Sequence, residues 1–316
     1  EDINTYLPFR IVNPKFSHHP ITCRMLLTHT SSIRDHWKVL ESLYVWDDDS
    51  SISLGQFLES YLRPGGVHYH AAYNFSGSEP GTAFHYSNVG AALAAYLVEA
   101  VTGIPFDIYC SLEIFEPLGM KETSWRLADV DISHLAMPYQ YGRYGYFSDS
   151  SHSSSWLEDR IGCFLVQAHY PQASFPFTVS RQGSPYHAYG FYAYPDYPDG
   201  LLKTSAPQLA RFLTMFIQGG TLEGARILEP ETVEEMKRVQ NPGLDPQQGL
   251  IWYYKRLSGW TLLGHSGEDL GVATEMFFRP EDGAGVILLM NGDWSVGNEH
   301  IITEIETRLF RESAAF

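Results

Sequence analysis

The sequence predicts an α+β fold: helices, then an antiparallel sheet, then a covering helix. Three observations predict it. Capped segments with helical spacing recur between residues 20 and 128. Four short β-rich runs (249–257, 260–267, 271–280 and 284–293) follow one another with turn residues between them, as in an antiparallel meander. An amphipathic segment at 297–312 comes last, with Ile301, Ile302, Ile305 and Leu309 at helical spacing. Helices, then a meander, then a covering helix differ from the strand–helix alternation of a parallel sheet, and no internal repeat is present.

Each element has its own signals. Thr22 is a candidate N-cap for a short helix at 22–29, with Met25, Leu26 and Leu27 on one side. Ser53 with Gln56 three residues on forms a capping box, followed by Phe57, Leu58, Tyr61 and Leu62 and stopped at Arg63-Pro64-Gly65-Gly66. A helix over 88–102 carries the small residues Gly90, Ala91, Ala92, Ala94 and Ala95, which permit close approach. Its core-facing side is expected to hold Leu93, Tyr96, Leu97 and Val101, and Gly103 closes it. Another starts near Pro105 and breaks at Pro117. Ser205 and Gln208 read as a second capping box for 205–218, and Pro230 leads a helix over 230–239. Residues 129–199 lack a helical period and are rich in Tyr, Gly, Ser and Pro. They read as an ordered insertion, 139–194 of which would line or cover a pocket. The division expected is one domain over 1–316: a mainly helical region at 20–128, the insertion, and helices plus sheet at 200–316.

Composition excludes several classes. The 316 residues carry a net charge of −16, with no basic patch or Lys/Arg run to engage phosphates or an anionic membrane. No apolar run approaches the ~18 residues of a membrane span. Cys23, Cys110 and Cys163 are widely spaced without a C-x-x-C and read as buried free thiols. His68 and His70 share one face of an extended segment but lack a third ligand at zincin spacing, so no metal is expected. The N-terminus shows no signal peptide and reads as the middle of a chain, so upstream residues are expected.

Several stretches, taken in order, resemble the serine β-lactamase-like family of class C β-lactamases, DD-peptidases and related esterases. "ITCRMLLTHTSSI" (21–33) resembles their I-T-x-R-x-L-L-x-H-T-S-G segment. Tyr86-Ser87-Asn88 and the helix after it resemble their Y-x-N motif. "PLGM" (117–120) and "GLLKTSAPQLARF" (200–212) match further segments, and "GHSGEDLG" (264–271) resembles the H-x-G variant of their third motif. The resemblance runs over nearly the whole chain. It implies a β-lactamase/transpeptidase-like fold, a central antiparallel sheet flanked by helices with a second, mainly helical region, and an active site between the two. It also implies a small ester, amide or peptide substrate, acyl-enzyme chemistry and no cofactor.

It also implies roles. Tyr86 would take the nucleophile's proton and pass it to the leaving group. Asn88 would hold the tyrosine loop or a substrate amide, if it is not simply the cap of its helix. His265, in place of the family's lysine, would offer a hydrogen bond near Tyr86, with a pKa near 6.5 that makes activity pH-sensitive. Ser266 would bond substrate, Gly267 would let the strand approach it, and the N–H of Glu268 would be one oxyanion donor. A carboxylate at Glu268 is unfavourable there unless it points away. A mostly neutral histidine suits esters or peptide-like amides better than carboxylate-bearing penicillins, so an esterase or peptidase is expected rather than a strong β-lactamase.

The family's S-x-x-K nucleophile motif is absent. The residues three before Lys15, Lys38, Lys121, Lys203, Lys237 and Lys255 are Val12, Asp35, Leu118, Gly200, Glu234 and Trp252. "GHSGE" is not a G-x-S-x-G elbow, and Ser205 reads as an N-cap. His29 is expected to bond backbone in the core. The 316 residues alone are therefore expected to lack acyl transfer. Three explanations stand: part of a longer hydrolase, a nucleophile on a separate cleaved chain, or a pseudoenzyme that keeps the cleft for binding. A glycan-binding role for the tyrosine-rich loops has only composition behind it. Oligomeric state and compartment do not follow from the sequence.

Overall fold

The computed structural model describes residues 1–141, 186–292 and 299–313. Its sheet is the expected meander: Tyr253–Leu257, Trp260–Asp269, Val272–Phe278 and Gly285–Met290, each antiparallel to the next. Alternation along the strands sorts the side chains onto two faces. Tyr254, Leu263, Met276, Phe278 and Ile287 face the large core shared with the helices. Leu257, Leu262, Phe277 and Val286 face the terminal helix and its Phe310.

The helical region forms for the reasons its caps suggest. Thr22 Oγ1 accepts from the Met25 N–H (3.3 Å) to start Cys23–Leu27. The Ser53–Gln56 capping box is complete and starts Leu54–Leu62, whose Phe57, Leu58, Tyr61 and Leu62 are buried. Asn88–Thr102 ends at Gly103 in the left-handed region (φ 73°), and the Gly103 N–H closes on Glu99 O at 2.8 Å. Leu93 and Leu97 are buried, but Val101 is 63% exposed because the last turn runs past the core. Phe106–Cys110 continues in a wider π-type turn, Ser111–Phe115. Among the described residues no single helix is long and apolar enough to cross a membrane.

Three local expectations are corrected by tertiary contacts. Ser205 precedes Ala206–Ile217 but makes no side-chain capping bond. Gln208 is drawn away to accept from the Glu122 N–H and the Thr123 hydroxyl, both at 2.9 Å. Cys110 is buried but Cys23 is exposed, while Cys163 lies outside the described residues. In the terminal helix, Glu299–Ser313, the buried face carries Ile302, Glu306, Thr307 and Phe310. Ile301, Ile305 and Leu309 are 47%, 37% and 40% exposed. The sheet presents Lys255, whose ammonium lies 2.9 Å from both Glu275 and Glu306. An ion pair that must be completed sets the helix's rotation.

Most of the aromatic insertion, 142–185, lies outside the described residues. Its limbs pair as Tyr139–Tyr141 with Tyr186–Ala188. The return limb belongs to the interior rather than to a surface excursion: Tyr189, Tyr192, Tyr194 and Tyr197 are each under 9% exposed. Gly271 (φ 68°) turns the hairpin after the central strand against this limb's partner. A Cβ there would sit 2.6 Å from the Tyr139 nitrogen.

Candidate active site

Tyr86 ends a loop directly before the Asn88–Thr102 helix. Ser87 caps that helix, its Oγ accepting from the Gly90 N–H at 2.9 Å. The cap is therefore Ser87 and not Asn88. The Tyr86 ring lies against His29, with centroids 4.2 Å apart and tilted 32°. Across from it, 6.5 Å between ring centroids, is His265 on the central strand. The fold thus brings together the two residues that the motifs nominate from opposite halves of the chain.

His265 faces the helical region with Leu263. The neighbouring strand pairs only as far as Tyr253 opposite Gly264, so the segment from His265 to Asp269 continues past it. Burial pushes the His265 pKa below the ordinary value. That corrects the expectation of a histidine titrating near 6.5: the ring is neutral at pH 7. Ser266 alternates to the other side of the strand, where its hydroxyl meets the Tyr253 hydroxyl at 2.7 Å. Its side chain is thus engaged by protein. A Cβ on Gly267 would meet the Thr274 hydroxyl at 2.6 Å, so the glycine makes room for its cross-strand neighbour. Glu268 is exposed and alternates to the side away from His265. The carboxylate therefore points away from His265.

His29 behaves as a core histidine. It is 2% exposed, its Nδ1 accepts from the Ser87 N–H (3.3 Å), and its carbonyl accepts from the His85 N–H (2.7 Å). Burial, then proximity to His265, pushes its pKa down to about 3. His70, the other candidate ring system, packs at 4.4 Å on Tyr73 and 6.0 Å from His36.

The sequence reading missed a set of carboxylates behind Tyr86. Asp35 accepts from the Ser87 hydroxyl (2.9 Å) and the N–H groups of Asn88 (2.8 Å) and Val89 (3.1 Å), and the Asn88 side chain bonds it too. Asp196 and Asp199, from "PDYPDG", are hydrogen-bonded to each other and held above the usual carboxylate range by burial. Asp269 accepts from the Tyr44 (2.9 Å) and Tyr194 (3.1 Å) hydroxyls, which joins the end of the site strand to the return limb. Desolvation, then Asp199, Asp35 and Tyr253, raise the Tyr86 phenol above an ordinary tyrosine. Tyr86 is therefore protonated at neutral pH, although 39% of the residue is exposed. The only sequence signal for these groups is local: Asp-x-x-Asp around a tight turn, and Asp35 just after the T-H-T-S-S stretch.

Chemically, the arrangement sets one phenol opposite one neutral imidazole where the sheet meets the helical region, with buried carboxylates behind the phenol. Comparison with known proteins identifies the family. A family profile described as Beta-lactamase matches residues 1–304. Over 132 residues the chain is 31% identical to penicillin-binding protein 4* of Bacillus subtilis (strain 168), a match spanning 40% of this chain and 27% of that protein. In fold it is similar to the D-amino acid amidase from Ochrobactrum anthropi SV3 solved with L-phenylalanine amide (TM-score 0.64, 21% identity, 100% of this chain and 76% of that one). It is also similar to the octameric penicillin-binding protein homologue from Pyrococcus abyssi (TM-score 0.60, 18% identity, 98% of this chain and 60% of that one).

Proposed function

Because the chain belongs to the Beta-lactamase family, serine hydrolases whose profile spans residues 1–304, we propose that its cleft serves acyl-enzyme chemistry on small esters or amides, as an esterase or peptidase rather than a strong β-lactamase. The observation that carries this is the placement of Tyr86 opposite His265, 6.5 Å between ring centroids. Tyr86 is the proton-transfer residue. In its resting state it holds its proton, so it cannot by itself ionise a serine. A cation beside it would lower its pKa and turn it into a base.

That cation and the serine are the pair the 316 residues do not contain in S-x-x-K spacing. The chain alone therefore binds substrate without acylation. A neutral His265 hydrogen-bonds a carbonyl or amide and offers no charge to a carboxylate, which supports esters and amides over penicillins. Asn88, tied to Asp35, holds the tyrosine loop, and the N–H of Glu268 faces the developing oxyanion. A second reading is a non-catalytic protein that keeps the cleft for binding.

The test is NMR on the 316-residue chain, following His265 and Tyr86 while phenylalanine amide, an ester analogue and benzylpenicillin are titrated in, together with hydrolysis assays of each. The expected result is that the amide or ester shifts both signals, benzylpenicillin binds more weakly, and no turnover occurs. Signals unmoved by all three ligands would refute the proposal.

A further inference from the structure

We infer that Asp35 is a positioning residue for Tyr86, the second tier of a support that begins at the buried Tyr61 hydroxyl. The accounting of hydrogen bonds along the motif loop leads there. The first helical N–H groups, Asn88 and Val89, donate to Asp35, and the next, Gly90, donates to the cap Ser87. The Ser87 hydroxyl in turn donates to Asp35 at 2.9 Å. His29 takes the N–H of His85 through its carbonyl. Every residue flanking Tyr86 is thus held by one loop of the chain, while the Tyr86 phenol is left to the cleft. A carboxylate suits the place because the N-terminus of a 15-residue helix presents positive partial charge.

Asp35 is itself bracketed. The Tyr61 hydroxyl accepts from the His36 N–H (2.6 Å) and donates to the Arg34 carbonyl (2.8 Å), the residues on either side of Asp35. Tyr61 is fully buried. The path from the core of the Leu54–Leu62 helix to the phenol is therefore Tyr61, the 34–36 backbone, Asp35, then Ser87 to Val89. Besides holding the loop, Asp35 lies near enough to the phenol to oppose its ionisation, behind burial and Asp199. The two imidazoles on its other sides, His29 and His265, are kept neutral by burial.

This inference rests on the reading of Tyr86 as the proton-transfer residue, and its test needs no turnover. 3-Nitrotyrosine, whose free phenol titrates near neutrality, is placed at position 86, where its midpoint reports the local charge by absorbance. Asp35→Asn is expected to lower its midpoint by about half a pH unit or more, with Asp35→Glu restoring it in part. Tyr61→Phe, which removes one hydroxyl, is expected to speed amide exchange at Asn88 and Val89 by about tenfold or more and to leave Ala95 and Leu97 unchanged. An Asp35→Asn protein that is folded, less stable and unchanged in its titration would reduce Asp35 to a helix cap and overturn the inference. If Asp35→Asn does not fold, Tyr61→Phe decides, and unchanged exchange at Asn88 and Val89 overturns it. A protein that titrates as expected but binds no amide or ester would sink the hydrolase reading and leave this one standing.

Discussion

Replacing Lys255 by Met tests why the terminal helix buries a glutamate and leaves three aliphatic residues outside. The Lys255 ammonium sits 2.9 Å from Glu275 and 2.9 Å from Glu306, and 3.7 Å above the Phe277 ring. The two carboxylates are 5% and 2% exposed. Methionine keeps most of the apolar stem but leaves two buried carboxylates with no cation. Removing one partner from such a pair costs about 3–5 kcal/mol. Burial already holds Glu275 at about 6 against an ordinary 4.5, with Lys255 opposing the rise and Glu306 adding to it. At ~1.36 kcal/mol per pH unit, that raised pKa costs the native protein about 2 kcal/mol above pH 7. The sign follows: this penalty is present above the folded pKa and disappears as pH falls toward 4.5. Without the ammonium, Glu275 rises further, so the mutant regains more on acidification than the parent. Urea unfolding at pH 8 and pH 5 reads the difference. The expected loss is about 3–5 kcal/mol at pH 8, shrinking at pH 5 by roughly 1.4 kcal/mol for each pH unit of further rise. A loss under about 1 kcal/mol at pH 8, or one equal at both pH values, would refute the reasoning.

Other positions give independent checks. Gly264→Ala would put a Cβ 2.0 Å from the Met276 carbonyl oxygen and 2.6 Å from the Phe277 Cα. Neither backbone atom can rotate away, so a loss of about 3 kcal/mol or more, or no folded protein, is expected. Gly267→Ala meets only the rotatable Thr274 hydroxyl and should cost about 1 kcal/mol. Chemical denaturation of the two variants side by side checks the contrast. Ser87→Ala removes the cap of the Asn88–Thr102 helix and a bond to Asp35, and a loss of about 1–2 kcal/mol is expected in the same assay. His29 is neutral in the fold, with a pKa pushed down to about 3 from 6.5. Its contribution is whole above pH 6.5 and is lost as pH falls toward 3. His29→Asn keeps a residue type that tolerates the φ of 53° and should flatten the acid limb of a stability–pH profile. An unchanged acid limb would contradict that.

What was legible in the sequence was what is decided locally. The Ser53 helix start, the Gly103 stop and the four-strand meander depend on a few adjacent residues, and they stand where the patterns put them. The ordered motifs also placed Tyr86 and His265 at one site, since each sits at a defined point of its element. What the sequence hid is decided between elements. Gln208 looks like half of a capping box until the Glu122–Thr123 backbone competes for it. Ile301, Ile305 and Leu309 look like a core stripe until Lys255 needs Glu306. The protonation states of His265 and Tyr86 follow from burial and from Asp35 and Asp199. Those carboxylates lie far from Tyr86 in sequence, and no motif announces them.

The central proposal is that acyl transfer at this site needs a serine and a lysine in S-x-x-K spacing, which the 316 residues do not contain. Its most direct test is the intact mass of the purified 316-residue chain after incubation with a fluorophosphonate probe. The account predicts an unmodified mass. A single covalent adduct that disappears in Tyr86→Phe would contradict it, because a nucleophile activated by Tyr86 would then lie within these residues.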